Sequence, residues 1–271
     1  MQRVTFGNIV SGTLLKAYRR LAVELGGPAR AINLRTGKIA PFHKVNLKTY
    51  SGNPETGLNL LTGQFDYSGQ RLDIGRQGDP WTLPAPSKRF AHWLHSFSWL
   101  SDLTSVPDSL ASERARFLVD KRIDVYGDWN PHAWDNDILA NRLFAWLSQW
   151  SAHLSGEPTS AKAYTRRQSL VRQLKRLRKT FNRTPDGLPK LKAAATLVLG
   201  GLYMTENDAG YLGKGLDLLN DEIDIQILPD GGHISRSPEQ ALHALHILMV
   251  VSDALQIRHV EGSKILLRAT E

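Results

Sequence analysis

From Ser87 onward, apolar residues recur at every third or fourth position in one segment after another, with short polar breaks between them. That is the period of a helix with one buried face. Leu139, Leu143, Trp146, Leu147 and Trp150 form one such stripe, and Leu191, Ala194, Val198, Gly201 and Leu202 another. Leu212, Leu216, Leu219 and Ile223 continue the series, and a further helix is predicted from Pro238 to Ile257 after a Pro-Asp-Gly-Gly turn. Ser87 suits the N-cap of a helix reaching to about Leu103, and Asp108 or Ser109 that of one reaching to about Val125. Successive helices joined by short loops predict stacked antiparallel hairpins. No fixed-period repeat is visible, which argues against a consensus solenoid. The fold class is therefore mainly α.

The chain before Ser87 reads differently. One helix from about Val4 to Leu25 is predicted, closed by Gly26-Gly27-Pro28. Residues Ala31 to Asn59 carry little periodicity and much Gly, Pro, Asn and Thr, so they are predicted to be irregular. Near residues 64–74, alternation around Ser68-Gly69 predicts a small β-hairpin. The N-terminal charges Arg3, Lys16, Arg19 and Arg20 fall beside and after the short apolar stretch, the reverse of a secretory signal. On that reading the chain is cytoplasmic. No apolar run approaches the roughly 20 residues that a spanning helix needs, so no membrane is expected as a partner.

The net charge of +8 favours an acidic partner: nucleic acid, anionic lipid or an acidic polysaccharide. The densest basic stretch holds Arg166, Arg167, Arg172, Lys175, Arg176, Arg178, Lys179 and Arg183, interleaved with Leu170, Val171, Leu174, Leu177 and Phe181. This reads as an amphipathic helix whose charged outer face is either simply solvated or binds a polyanion. No recognised DNA- or RNA-binding motif accompanies it, so nucleic acid is not expected as a partner. The absence of cysteine excludes disulfides and thiolate metal sites. The histidines lack the HxxxH or HxxEH spacing that would hold a metal from one helix. Neither a metal nor a cofactor is expected.

Three constellations stand out. In Asp79–Leu100, His92, His95 and Trp99 lie on neighbouring helical turns, with Trp93 among them. Indole faces with adjacent polar groups suit the apolar C–H faces of sugars, and they equally suit packing between helices. Asp128–Asn136 is a polar loop carrying Trp129 and Trp134, with Asn141 and Arg142 one helical turn further on. In Glu222–Pro238, an apolar segment breaks at Pro229, turns on two glycines and delivers His233 and Arg236 just before a helix capped by Ser237. His92, His95, Trp99, Trp134, Asn141 and Arg142 are the candidate substrate-binding residues, and His233 and Arg236 the candidate catalytic ones. An ordinary interhelical turn is the alternative for the last pair.

The runs DPWTLPAPSKRFAHWLHSFSWL and EIDIQILPDGGHISRSP together resemble the N-terminal domain of the heparinase II/III-like polysaccharide lyase family. The likeness covers roughly residues 62–258, with the intervening helices in matching order. It implies an incomplete α/α toroid of helical hairpins, normally followed by a C-terminal β-sandwich domain. On this basis residues 1–60 form an irregular N-terminal region with one helix, and residues 61–271 a toroid that stops before the sandwich. The resemblance also implies β-elimination on uronic-acid-containing polysaccharides and a periplasmic location. Elimination must neutralise the uronate carboxylate, remove the C5 proton and protonate the departing oxygen. The resemblance implies an Asn and a Tyr from the toroid for this work, and a His from the sandwich domain or nearby. Here the Asn position is occupied by Leu188 and the Tyr position by Gln240. Leucine has no donor, and a glutamine amide is no acid or base near neutral pH. The expectation is a lyase-type fragment that is inactive alone, or a non-catalytic module that binds acidic glycans.

Overall fold

The computed structural model describes residues 39–47, 52–204, 210–261, 266 and 269. The helix expected between Val4 and Leu25 lies outside the described residues. Helix α1 spans Pro54–Thr62, where irregular chain was expected. Its cause is local: the Asn53 side chain accepts from the Glu55 N–H at 2.8 Å, and Pro54 sits in the first turn. Gly63, at φ +96°, closes it.

The expected hairpin follows. Strands β1 (Gln64–Tyr67) and β2 (Gln70–Asp73) pair antiparallel, with Phe65 opposite Leu72 and Tyr67 opposite Gln70. Ser68 and Gly69 both have positive φ, +53° and +76°. Such a pair makes the two-residue turn whose twist matches the strands. Phe65 is fully buried and meets the edge of Trp99 with ring centroids 5.2 Å apart. Tyr67 stacks on Trp93 at 4.8 Å.

Helices then follow in chain order: α2 (Lys88–Ser96), α3 (Leu100–Thr104), α4 (Ser109–Tyr126), α5 (Asn136–Ser148), α6 (Ala161–Thr180), α7 (Leu188–Tyr203), α8 (Gly210–Gln226) and α9 (Pro238–Ile257). The single helix expected over 87–103 is broken. Phe97 adopts φ +56° and ends α2, and α3 starts again at Leu100. The apolar residues are too dense for one face, and the break lets Phe90, Leu94, Phe97, Trp99, Leu100 and Leu103 all turn inward.

The packing defines two layers. Helices α2, α5, α7 and α9 form an inner row, each packed on the next, while α4, α6 and α8 lie outside them. This alternation is the architecture of a helical toroid. The basic helix α6 is not a uniformly solvated face. Arg166 is buried and grips Asp120 through both carboxylate oxygens, at 2.8 and 2.9 Å, and Arg172 reaches Asp128 at 3.1 Å. Some of the expected outer charge is thus spent within the body.

The stretch 39–47 is strapped across this body. His43 N–H donates to the Tyr203 carbonyl at 2.9 Å, and Val45 N–H to Ser151 Oγ at 2.9 Å. The Tyr203 hydroxyl lies 2.9 and 2.7 Å from the carbonyls of Val45 and Leu147, which share its single proton. At the other end, α9 buries Ala244, Ile247, Leu248, Val251 and Leu255 and exposes Leu242, Leu245 and Met249. Its 20 residues include an 18-residue window of mean hydropathy 1.2, so by length and composition alone the helix is long and apolar enough to cross a membrane. Its buried side is part of the common core.

Candidate functional site

The inner row carries an unbroken line of polar side chains. His92 of α2 bonds through Nε2 to Asp137 Oδ2 at 2.8 Å. Asp137 sits in the first turn of α5, capped by Asp135, and its Oδ1 accepts from Asn141 Nδ2 at 2.9 Å. Asn141, one turn further along, has its Oδ1 free to accept from Lys192 Nζ of α7 at 2.8 Å. The amide orientation is fixed by this arrangement, since Nδ2 donates to Asp137 and Oδ1 receives the ammonium. Neighbouring α9 adds His246, close enough for the Lys192 charge to weigh on its protonation.

The electrostatics follow from one carboxylate shared among basic groups. The hydrogen bond to Asp137 raises the pKa of His92 above its ordinary value, against the opposing effect of burial. Burial lowers the pKa of Lys192, partly offset by Asp137. His246 is lowered by burial first and by Lys192 second. The His92 and Asp137 side chains remain 43% and 25% exposed, so the line is open to solvent. Near neutral pH such a line offers ammonium and imidazole donors to an anionic group. Among the described residues, no three His, Asp or Glu side chains come together to hold a metal.

Of the expected binding residues, the structure thus joins His92 and Asn141. The others are turned into the interior, away from solvent. Trp99 is 1% exposed, stacks on Phe97 and donates Nε1–H to the Leu94 carbonyl at 3.1 Å. Trp134 is 2% exposed, forms a small cluster with Ala133 and bonds the Tyr126 carbonyl at 3.1 Å. Neither offers a ring face to a sugar. His95 and Arg142 are also buried, with Arg142 donating to Gln173 Oε1 at 2.7 Å and to the carbonyls of His95 and Ala133. Apolar periodicity names the residues that pack, and these indoles satisfy their single N–H on backbone, as buried tryptophans do.

The Glu222–Pro238 turn is likewise self-contained. Leu228 N–H donates to the Gly232 carbonyl and Ile234 N–H to that of Gln226, both at 2.8 Å, closing a tight loop on Gly231 at φ +80°. His233 Nδ1 faces Ser235 Oγ at 2.7 Å and the Ser235 N–H at 3.2 Å. That leaves Nε2–H to donate to Gln226 Oε1 at 3.3 Å. Gln226 donates in turn to the Gly187 carbonyl and to Glu222. Arg236 is exposed, at φ +53°, and pairs with Asp230 of its own turn at 2.7 Å. Leu188 opens α7 half-buried, while Gln240 is exposed in the first turn of α9. The turn therefore fixes the start of α7, and His233 and Arg236 both find their partners within the turn itself.

Two large open hollows, of about 710 and 760 Å³, lie on the outer side of the body. One runs between α4 and α6 and the other between α1 and α4, and neither includes a residue of the polar line. Asp137, Lys192 and His246 escaped sequence reasoning. The available signal was Lys192, set between Leu191 and Ala193 on the predominantly apolar α7, Leu188–Tyr203.

Heparan sulfate lyase HepC from Pedobacter heparinus superposes with a TM-score of 0.59 at 17% identity, over 94% of this chain and 41% of that one. A heparinase III gene product superposes with a TM-score of 0.56 at 18% identity, over 94% and 45%. The fold is the helical toroid of these lyases. At such identity the likeness concerns the fold alone. No family model matches the toroid chain. By sequence it is 32% identical over 220 residues to FtsZ-localized protein C of Caulobacter vibrioides. That match takes in 81% of this chain, which spans only 37% of that relative's length.

Proposed function

We propose that this toroid is a glycan-binding domain of the polysaccharide lyase type, which holds an acidic sugar on its inner row and does not catalyse elimination alone. The observation that carries the reading is the hydrogen-bonded line His92–Asp137–Asn141–Lys192, which presents cationic donors across three inner helices of a lyase fold. Lys192 and His92 would receive the carboxylate or sulfate, and Asn141 would orient the ammonium. Elimination also needs a base and an acid in place. Leu188 and Gln240 supply neither, and a sandwich-domain histidine of the kind that the family resemblance implies would have to complete the site.

The test is calorimetric titration with heparan sulfate oligosaccharides. Lys192→Met keeps most of the side chain's length and removes the charge, which lies 5.8 Å from the centre of the Phe144 ring. It is expected to weaken binding by about 10-fold or more, the scale of a lost charge-assisted hydrogen bond. Arg236→Ala, already paired within its turn, should change binding by less than about twofold. No absorbance from unsaturated uronate should appear in any of these mixtures. Elimination by the wild-type chain, or unchanged affinity in Lys192→Met, would overturn the proposal.

A second reading rests on the 32% identity to an FtsZ-localized protein. On it, the toroid works as a binding scaffold at FtsZ assemblies. Co-sedimentation with FtsZ polymers decides this: recovery in the pellet only when polymers form supports it, and equal partition with and without them removes it.

A further inference from the structure

Behind the polar line lies a second cluster that glycan binding does not use. Arg122 of α4 and Arg142 of α5 are both 0% exposed. The two guanidiniums are neighbours, because each donates to the same carbonyl of Ala133, at 3.4 and 2.9 Å. Among the described residues no carboxylate pairs with either. Arg142 spends Nε on Gln173 and Nη1 on two carbonyls, yet Nη2 has no acceptor. Arg122 is poorer still, with Nε and Nη1 both unsatisfied. Trp146, whose ring lies 6.0 Å from the Arg122 guanidinium carbon, has an unpartnered Nε1–H as well, and His95 an unpartnered Nδ1.

Such an arrangement is costly as it stands. A guanidinium keeps its proton in proteins, so two positive charges stay in the interior. Burial lowers the pKa of Arg122 to about 9 and that of Arg142 well below normal, and Arg122 opposes Arg142 further. The faces of Tyr126 and Trp146, each 6.0 Å from Arg122, return part of the lost solvation. They do not neutralise charge. A buried water would satisfy donors but leave both charges uncompensated. An anion does both at once.

We propose that the unspent N–H groups of Arg122, Arg142 and Trp146 enclose a small monovalent inorganic anion, chloride in solution, held beneath the loop of residues 128–135. Size selects it: with both arginines shut from solvent, a sugar carboxylate or sulfate cannot arrive still attached to its chain. Entry passes the exposed edge of the loop, where His132 meets His95 with ring centroids 5.6 Å apart. The anion would lock α4, α5 and the loop together, and its role is therefore structural.

Two measurements on the full chain test this. Crystals soaked in sodium bromide should give an anomalous peak between Arg122 Nη1 and Arg142 Nη2. A feature there that refines as water, with no anomalous signal while bromide appears elsewhere, would overturn the proposal. In solution, replacing sodium gluconate by sodium chloride at equal ionic strength should raise Tm by about 2–4 °C, the shift expected when a ligand is present well above its Kd. Arg122→Met should abolish that difference. An equal Tm in both salts for the wild-type chain would count against the site, whatever the variant does.

Discussion

Gly201→Ala is expected to destabilise the chain by about 3 kcal/mol, while Gly213→Ala, on the exposed side of the partner helix α8, stabilises it by about 0.5–1 kcal/mol. Helices α7 and α8 approach backbone to backbone. A Cβ added at Gly201 would lie 2.5 Å from the Leu212 nitrogen and 2.6 Å from its Cα, and one at Gly215 would lie 2.7 Å from the Val198 nitrogen. Backbone cannot step aside as a flexible side chain can, so the two helices would have to separate. At Gly213 the same methyl meets nothing within 4 Å and only removes freedom from the unfolded chain. Urea unfolding of the two variants reads this directly. A Gly201→Ala midpoint indistinguishable from wild type would mean that α7 and α8 are not in such close contact.

Acid should unfold this chain through His95. Burial, then the charges of Arg122 and Arg142, push its pKa down from 6.5 to about 3. The unfolded chain therefore binds a proton between those values that the folded chain refuses. Stability from this residue is complete above 6.5 and falls as the pH drops, by about 1.4 kcal/mol per unit, reaching on the order of 3 kcal/mol near pH 4. His132, His153 and His246 are also lowered by burial and act in the same direction. His92 works oppositely: its contribution is complete below the ordinary histidine value and fades as the pH rises through its raised folded pKa. The check is the urea midpoint from neutral pH downward for the wild type and His95→Phe, whose ring suits the contacts with Trp81 and Tyr126. The variant should show a clearly flatter acid limb. Parallel limbs would show that His95 is not the residue that takes up the proton.

Where the sequence carried local information, the structure follows it. Ser87 and Ser237 cap α2 and α9 through their hydroxyls, and Ser68-Gly69 turns the hairpin. Leu139, Leu143, Trp146 and Leu147 of α5 and Leu191, Ala194, Val198 and Leu202 of α7 are buried as their spacing predicts. What was illegible depends on partners far along the chain. Asn141 and Lys192 lie 51 positions apart, and nothing in either segment announces the other. Trp99 carried the right chemistry for a sugar platform. The reversal at Phe97, itself driven by too many apolar residues for one helical face, turned it into the core. Arg142 was singled out as a donor beside a polar loop, and it is one, but its donors point inward to backbone and Gln173.

The strap over residues 39–47 has a mechanical consequence. Tyr203 meets Val45 across 158 positions of sequence, and Val45 shares that hydroxyl proton with Leu147. A pull applied to the chain on the N-terminal side of this stretch is not absorbed at a loose end. It is delivered to the seam between α5 and α7, the same two helices that carry Asp137, Asn141 and Lys192.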